Sequence, residues 1–323
     1  MTGVKPAVRE VHVAVAVVIR EGRVLIARRP DHVHQGGLLE FPGGKVEPDE
    51  TVQQALVREI AEETGLSVPE GSLKPVIGIR HDYGDKRVFL DVWRTQEAIG
   101  VAEGREGQPI EWLLPGDLRD EDFPAANRPI IRALRLPPVL AITGAIENVA
   151  DGLRGLQMAL AGLSSDLVVL RAPDLPVEDY LRLAERAVPL CRDAGVGVIV
   201  HGAPATFRET PGAAGLHLPW RQAETLSERP IPPGAWLGVS CHDAGQLVHA
   251  TSLGADYVTL GPVTPTPTHP EARGIGWAEF GRLARAARVP VYGLGGLGPG
   301  DVARSRDEGG QGVAGIRFWW SAR

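Results

Sequence analysis

The sequence predicts two α/β architectures in series, an α+β sandwich over residues 1–136 and a compact (β/α)₈ barrel over 137–323. Three observations carry this. In the first part, strand-like runs enclose one strongly patterned helix. In the second, short apolar strands alternate with Ala/Leu/Arg-rich helices, the rhythm of a parallel sheet with helical crossovers. Between them, Leu136-Pro137-Pro138 marks the boundary, because consecutive prolines cannot continue a helix.

The first part opens with β-branched runs at 11–19 and 24–28, joined by a turn at Glu21-Gly22. A helix is predicted over about 50–64. Asp49 or Thr51 offers its N-cap, Pro48 marks the entering turn and Gly65 supplies the stop. Val52, Ala55, Leu56 and Ile60 recur at helical spacing and form its buried face. Further strands are predicted at 75–79, 88–93 and 111–114, and a short helix over about 127–134 closes the region.

The second part has apolar strands at 139–142, 167–170, 197–200, 215–218, 236–239, 257–260, 291–292 and 313–316, with helical patterns at 177–194, 244–253 and 277–287. A doubly wound open sheet is the alternative arrangement. The run ending in Phe318-Trp319-Trp320 leaves little room for a full eighth helix. These aromatics either fill that position or make a subunit contact, with plain core packing the default.

Composition limits the function classes. At 323 residues, with 43% apolar and 23% charged residues, the chain is a soluble globular type long enough for two cores. A net charge of −6 offers no basic stripe for nucleic acid. No apolar run approaches the roughly 18 residues of a membrane span, and no signal-peptide core is visible, so a cytoplasmic location without a membrane partner is expected. Cys191 and Cys241 lie on apolar segments without metal-ligand spacing and read as buried free thiols in a reducing compartment.

Chemistry concentrates on the predicted helix. Glu59, Glu62 and Glu63 stand at i, i+3 and i+4 and share one face, where like charges repel. A divalent cation relieves such repulsion. Hard carboxylate oxygens suit Mg²⁺, with Mn²⁺ as the alternative. An ordinary solvated acidic helix is the competing reading, but Gly43-Gly44 precedes the acids and Arg58 sits among them.

Gly44, then five residues, Glu50, seven residues, and Arg58-Glu59-Ile60-Ala61-Glu62-Glu63-Thr64-Gly65-Leu66 match every defined position of the Nudix box. Arg28-Arg29-Pro30, Gly37 through Lys45, Gly104 through Trp112 and Asp122 through Asn127 also resemble the MutT-type 8-oxo-dGTP diphosphatases, a likeness covering nearly all of 10–135. The resemblance implies the Nudix α/β/α sandwich and a nucleoside triphosphate substrate. The resemblance alone implies that water attacks the β-phosphorus to give a monophosphate and pyrophosphate. It implies a metal group of Gly43 (carbonyl, in a Gly-Gly turn), Glu59, Glu62, Glu63 and Glu106. Catalysis falls to Glu59, Glu62 and Glu63, with Arg58 orienting one of them; which acid is the general base stays open.

On the substrate side stand Arg29, Glu40, Phe41, Tyr83 and Asn127. Arg29 has two equal readings, a phosphate contact and a surface ion pair. Phe41 and Tyr83 can pack on the base, against a default of core packing. A carboxamide at Asn127 offers both donor and acceptor, and oxidised guanine presents an N7–H donor beside its O6 acceptor where guanine has two acceptors. The wrong base would leave a buried polar group unpaired. The alternative is that Asn127 only caps the closing helix.

Residues 139–317 resemble thiamine-phosphate synthase, a Mg²⁺-dependent TIM barrel. The resemblance rests on Ala141-Ile142-Thr143, Leu170-Arg171, Gly215 through Leu218, Gly238 through His242, Gly254 through Tyr257, Gly261 through Thr268, and Gly295-Gly296. Thr264, Thr266, Thr268 and the Gly295-Gly296 amides are the candidate phosphate cradle. The departures are specific. Val169 replaces the family's Gln, Arg171-Ala172-Pro173 replaces Arg-x-Lys, and His201-Gly202 replaces the metal-binding Asn-Asp. Pro219-Trp220-Arg221-Gln222 lacks the second acid, and His269 stands for Lys.

His201 and His269 have two readings, ligands of a different group or, as the default for loop histidines, solvent-exposed side chains. The expectation is a barrel without synthase activity that binds a small phosphorylated ligand or serves as a scaffold. Three alternatives remain: a Nudix hydrolase of another nucleoside diphosphate derivative, a sensor whose barrel binds a thiamine-pathway phosphate, and a bifunctional enzyme.

Overall fold

The structure, a computed structural model, describes residues 10–31, 35–84, 87–163, 165–265 and 273–320, and its contacts divide the chain into Met1–Arg135 and Leu136–Arg323. In the first unit, β1 (Glu10–Arg20) and β2 (Arg23–Arg28) form a hairpin. Glu21 and Gly22 both take positive φ, at 51° and 74°, the backbone of a type I′ turn whose twist suits two strands. β3 (Leu39–Glu40) and β4 (Gly43–Lys45) precede α1 (Val52–Thr64). β5 (Lys74–Asp82), β6 (Arg87–Thr95), β7 (Ile110–Leu113) and α2 (Arg128–Leu134) complete the unit. The sheet runs β3-β2-β1-β6-β5, with β4 on β1 and β7 on β2.

β1 divides two cores by its alternation, since successive side chains of a strand point to opposite faces. Ala14, Ala16 and Val18 pack with Ala55, Leu56 and Ile60 of α1. Val15 and Val17 pack with Phe41, Phe123, Ile130 and Ile131, on the α2 side. Small alanines on the α1 face let that helix close on the sheet. The result is the α/β/α sandwich expected.

The second unit is a closed barrel of eight parallel strands. These are β8 (Val139–Ile142), β9 (Leu167–Leu170), β10 (Gly197–His201), β11 (Gly215–Leu218), β12 (Trp236–Cys241), β13 (Tyr257–Leu260), β14 (Val291–Leu294) and β15 (Gly312–Gly315). The helices between them are α3 (Val149–Leu160), α4 (Val177–Asp193), α5 (Pro204–Arg208), α6 (Trp220–Ala223), α7 (Ala244–Ser252), α8 (Gly276–Ala286) and α9 (Val302–Asp307). The open doubly wound alternative is thereby set aside. Inside the barrel, the His217 ring lies 3.1 Å from the Tyr257 hydroxyl and 2.9 Å from that of Ser240. Tyr257 meets Tyr292 edge-on, with ring centroids 5.7 Å apart.

Trp319 and Trp320 are buried in the barrel's outer core, which is the default reading of that aromatic run. Both cysteines are free and buried. Among the described residues, no helix is long and apolar enough to cross a membrane.

Candidate active site

Local signals place the acidic face of α1. Thr51 caps the helix by accepting from the Gln54 N–H, and the Gln54 side chain returns the bond to the Thr51 N–H, a capping box. Gly65 ends it with φ of 72° and donates to the Ala61 carbonyl at 3.1 Å. Gly43-Gly44, expected as a turn, is instead strand β4, paired with Val15 and Ala14 of β1. Close packing explains this: a Cβ on Gly43 would strike the Ala14 carbonyl, and one on Gly44 would strike the Glu59 carboxylate. Two successive glycines allow a strand to pass between β1 and the acids of α1.

The three acids have different surroundings. Arg58 grips Glu50 through two nitrogens, at 2.9 and 3.0 Å, and donates to Glu59 at 2.8 Å and to Glu62 at 3.4 Å. Glu62 is the most exposed of the carboxylates Arg58 touches. Glu63 is half-buried and accepts the Gly43 N–H at 3.1 Å. Burial pushes its carboxyl up to about 8. The Gly43 bond opposes that rise, and the charges of Glu40, Glu59 and Glu106 add to it. Among the described residues, no three His, Cys, Asp or Glu side chains are arranged to hold a metal ion together. In this conformation Arg58 holds Glu59 and the Gly43 amide holds Glu63.

Glu106 lies on a turn where Gly107 takes φ of 81° and donates to the Gly104 carbonyl. This turn is docked on the C-terminal end of α1: the Arg105 N–H donates to the Glu63 carbonyl at 2.9 Å. Glu106 is thus near enough for its charge to raise the carboxyls of both Glu63 and Glu40.

Arg29, Glu40, Phe41, Tyr83 and Asn127 line one cleft of about 190 Å³, and Gly43 borders it too. Its apolar wall is Val13 and Val15 from β1 with Val88 and Leu90 from β6. Arg29 and Glu40 are ion-paired. Burial raises the Glu40 carboxyl, and the Arg29 charge beside it pulls it back down. Phe41 is buried with its ring 5.5 Å from that of Phe123, so it serves both core and cleft. Tyr83 is half-buried and meets His81 edge-on. Asn127 stands at the N-cap position of α2, yet its side chain makes no capping hydrogen bond. Asn127 is among the residues that line the cleft.

Two contributors escaped the sequence reading. Gln35, with φ of 59°, also lines the cleft; nothing in the local sequence marks it. Gln108 bonds both Glu106 and Glu63, and its place in the Gly104-to-Trp112 segment was the available signal.

In the barrel, Thr264, Gly295 and Gly296 come together after β13 and β14: the Thr264 hydroxyl donates to the Gly295 carbonyl at 2.8 Å. Thr266, Thr268 and His269 lie outside the described residues. His201 is not an exposed loop histidine. It ends β10, half-buried, with its ring 5.9 Å from that of His217. Burial, with the charges of Arg171 and Arg221, lowers it to about 4. His217 falls to about 3 for the same reason, with His201 and Arg171 as its neighbours. Both are neutral imidazoles near neutral pH.

Comparison with known proteins separates the same two parts. Residues 14–133 match the family described as NUDIX domain, and residues 139–318 the family described as thiamine monophosphate synthase. An 8-oxo-dGTP diphosphatase of Escherichia coli K12 is 37% identical over 128 residues, 39% of this chain and 98% of that protein. A CTP pyrophosphohydrolase of the same organism is 34% identical over 123 residues, 38% of this chain and 90% of the other. A thiamine-phosphate synthase of Laribacter hongkongensis HLHK9 is 35% identical over 167 residues, 51% of this chain and 78% of that protein.

Proposed function

The chain belongs to the Nudix family through its first part and to the thiamine monophosphate synthase family through its second, and from that membership we propose that the first part hydrolyses oxidised purine nucleoside triphosphates, 8-oxo-dGTP foremost, as nucleotide-pool sanitation. The observation that carries this reading is the shared cleft. It joins Gly43, whose amide holds Glu63, to Arg29, Glu40, Phe41, Tyr83 and Asn127. The reaction adds water to the triphosphate and releases the monophosphate and pyrophosphate.

The donor set fits a hard divalent cation, Mg²⁺ or Mn²⁺. Burial raises the Glu63 carboxyl first, and the charges of Glu40, Glu59 and Glu106 add to that rise, an excess of negative charge such an ion neutralises. Glu59, Glu62, Glu63, Glu106 and the Gly43 carbonyl would hold it. When bound, it supplies charge neutralisation on the polyphosphate and a water of lowered pKa. Arg58 orients Glu59 through a charge-assisted bond at 2.8 Å. Arg29, ion-paired with Glu40 and lining the cleft, is the residue assigned to receive phosphate. Asn127 pairs with the oxidised purine edge, because its carboxamide is not spent on α2.

A second reading, hydrolysis of a pyrimidine triphosphate, is favoured by the likeness to the CTP pyrophosphohydrolase. For the barrel, the reading is loss of synthase activity, with retention of a small phosphorylated ligand or a scaffold role. His201 and Gly202 stand at the end of β10, and residues 219–222 carry no acid.

Turnover of 8-oxo-dGTP and CTP with Mg²⁺, followed by phosphorus NMR, tests the hydrolase reading. Monophosphate and pyrophosphate should form, and Glu63→Gln should remove most of that activity. Release of inorganic phosphate, or undiminished turnover by the variant, would refute it. Robust product from the two synthase substrates would refute the reading of the barrel.

A further inference from the structure

We propose that Gln108 is the positioning residue that sets Glu106 against α1, so that the loop acid meets the helix acids in fixed register; the inference rests on the proposed metal-dependent hydrolysis. The last carbonyls of a helix have no partner within it. At the end of α1 they are taken by the loop that follows β6. The Thr64 carbonyl accepts the Glu103 N–H at 2.9 Å, and the Glu63 carbonyl accepts the Arg105 N–H at 2.9 Å.

Gln108 closes the arrangement. Its amide nitrogen donates to the Glu63 carbonyl at 3.0 Å, and its amide oxygen accepts the Glu106 N–H at 2.8 Å. One neutral side chain thus ties the backbone of Glu63 to that of Glu106. A carboxamide offers a donor and an acceptor on one planar group. A carboxylate keeps the acceptor alone, and a thioether of similar length keeps neither.

Glu106 is exposed on this turn, and like charges placed close together repel, so the backbone tie through Gln108 is what holds the turn on α1. Gly107 with φ of 81° shapes the turn, and Gly104 leaves room for the Gln108 carbonyl, which a Cβ there would strike. The loop is therefore held ready before an ion arrives, and little ordering remains to be done on binding.

Calorimetric Mn²⁺ binding to the full chain tests this, using wild type, Glu63→Gln, Glu106→Gln, Gln108→Met, Gln108→Glu and the double variant Glu106→Gln/Gln108→Met. Each is also followed by thermal unfolding and by activity across Mn²⁺ concentration. Gln108→Met should weaken Mn²⁺ binding by about 10–100-fold. It should raise the Mn²⁺ needed for half-maximal activity, and saturating metal should recover most of kcat. The double variant should bind no more weakly than Glu106→Gln alone, because Gln108 acts through Glu106. If Gln108→Met does not fold, Gln108→Glu is read on the same scale.

Wild-type affinity in the Gln108 variants, with Glu106→Gln weakened, would overturn the clamp and leave the hydrolase reading standing. Multiplied losses in the double variant would also overturn it. Wild-type affinity in both Glu63→Gln and Glu106→Gln would overturn the metal reading, and the clamp with it.

Discussion

The Glu59 carboxylate lies where a side chain on Gly44 would stand, so β4 and α1 approach to direct contact between backbone and acid. Gly44→Ala places a methyl group against the far end of a flexible side chain. Glu59 should yield by turning away from Arg58, while the backbone stays in place. The unfolding midpoint should stay within about 4 °C, while kcat/KM falls at least about tenfold. Thermal scans beside steady-state rates check this; a large drop in the midpoint with normal activity would show the backbone yielding instead.

The metal-free protein should lose stability as pH rises. Glu63 has a folded pKa of about 8 against an ordinary 4.5. Between these values the folded chain keeps a proton that the unfolded chain has released, so the unfolding free energy falls with pH across that window. Added Mg²⁺ should raise the midpoint more at pH 8 than at pH 5, and Glu63→Gln should flatten the metal-free slope. Thermal unfolding in chelator and in Mg²⁺ at several pH values measures both.

The second unit depends on its last described aromatics. The Trp319 indole donates to the Ile142 carbonyl at 2.9 Å, and the Trp320 ring covers Gly144 and Gly155, where any Cβ would collide with it. Trp320→Ala should destabilise the barrel by about 3–5 kcal/mol. Denaturant unfolding followed by far-UV circular dichroism reads the change, and a loss under about 1 kcal/mol would contradict the packing role.

Much of this was legible because it is periodic. The alternation of β1, the capped and amphipathic α1 and the eight barrel strands each repeat a local pattern that a single sequence displays. The misses have physical causes. Gly43-Gly44 carries turn chemistry, and only the crowding between β1 and Glu59 makes it a strand. Gly152 and Gly155 lower the local helix propensity of α3, and tertiary packing explains both, since they make room for Leu183 and Trp320. His201 looked like a loop residue because its burial arises from closure of the barrel beside His217. The five cleft residues were named from a resemblance, since they come from separate segments and no local period connects them.

The most direct test of the central claim is the ratio of kcat/KM for 8-oxo-dGTP over dGTP, with Mg²⁺, in wild type and in Asn127→Ala. Wild type should prefer the oxidised nucleotide strongly, and the variant should lose about 10–100-fold of that preference, the cost of one unpaired buried polar group. Equal ratios in the two proteins would remove Asn127 as the base reader. No preference in wild type would contradict the assigned substrate.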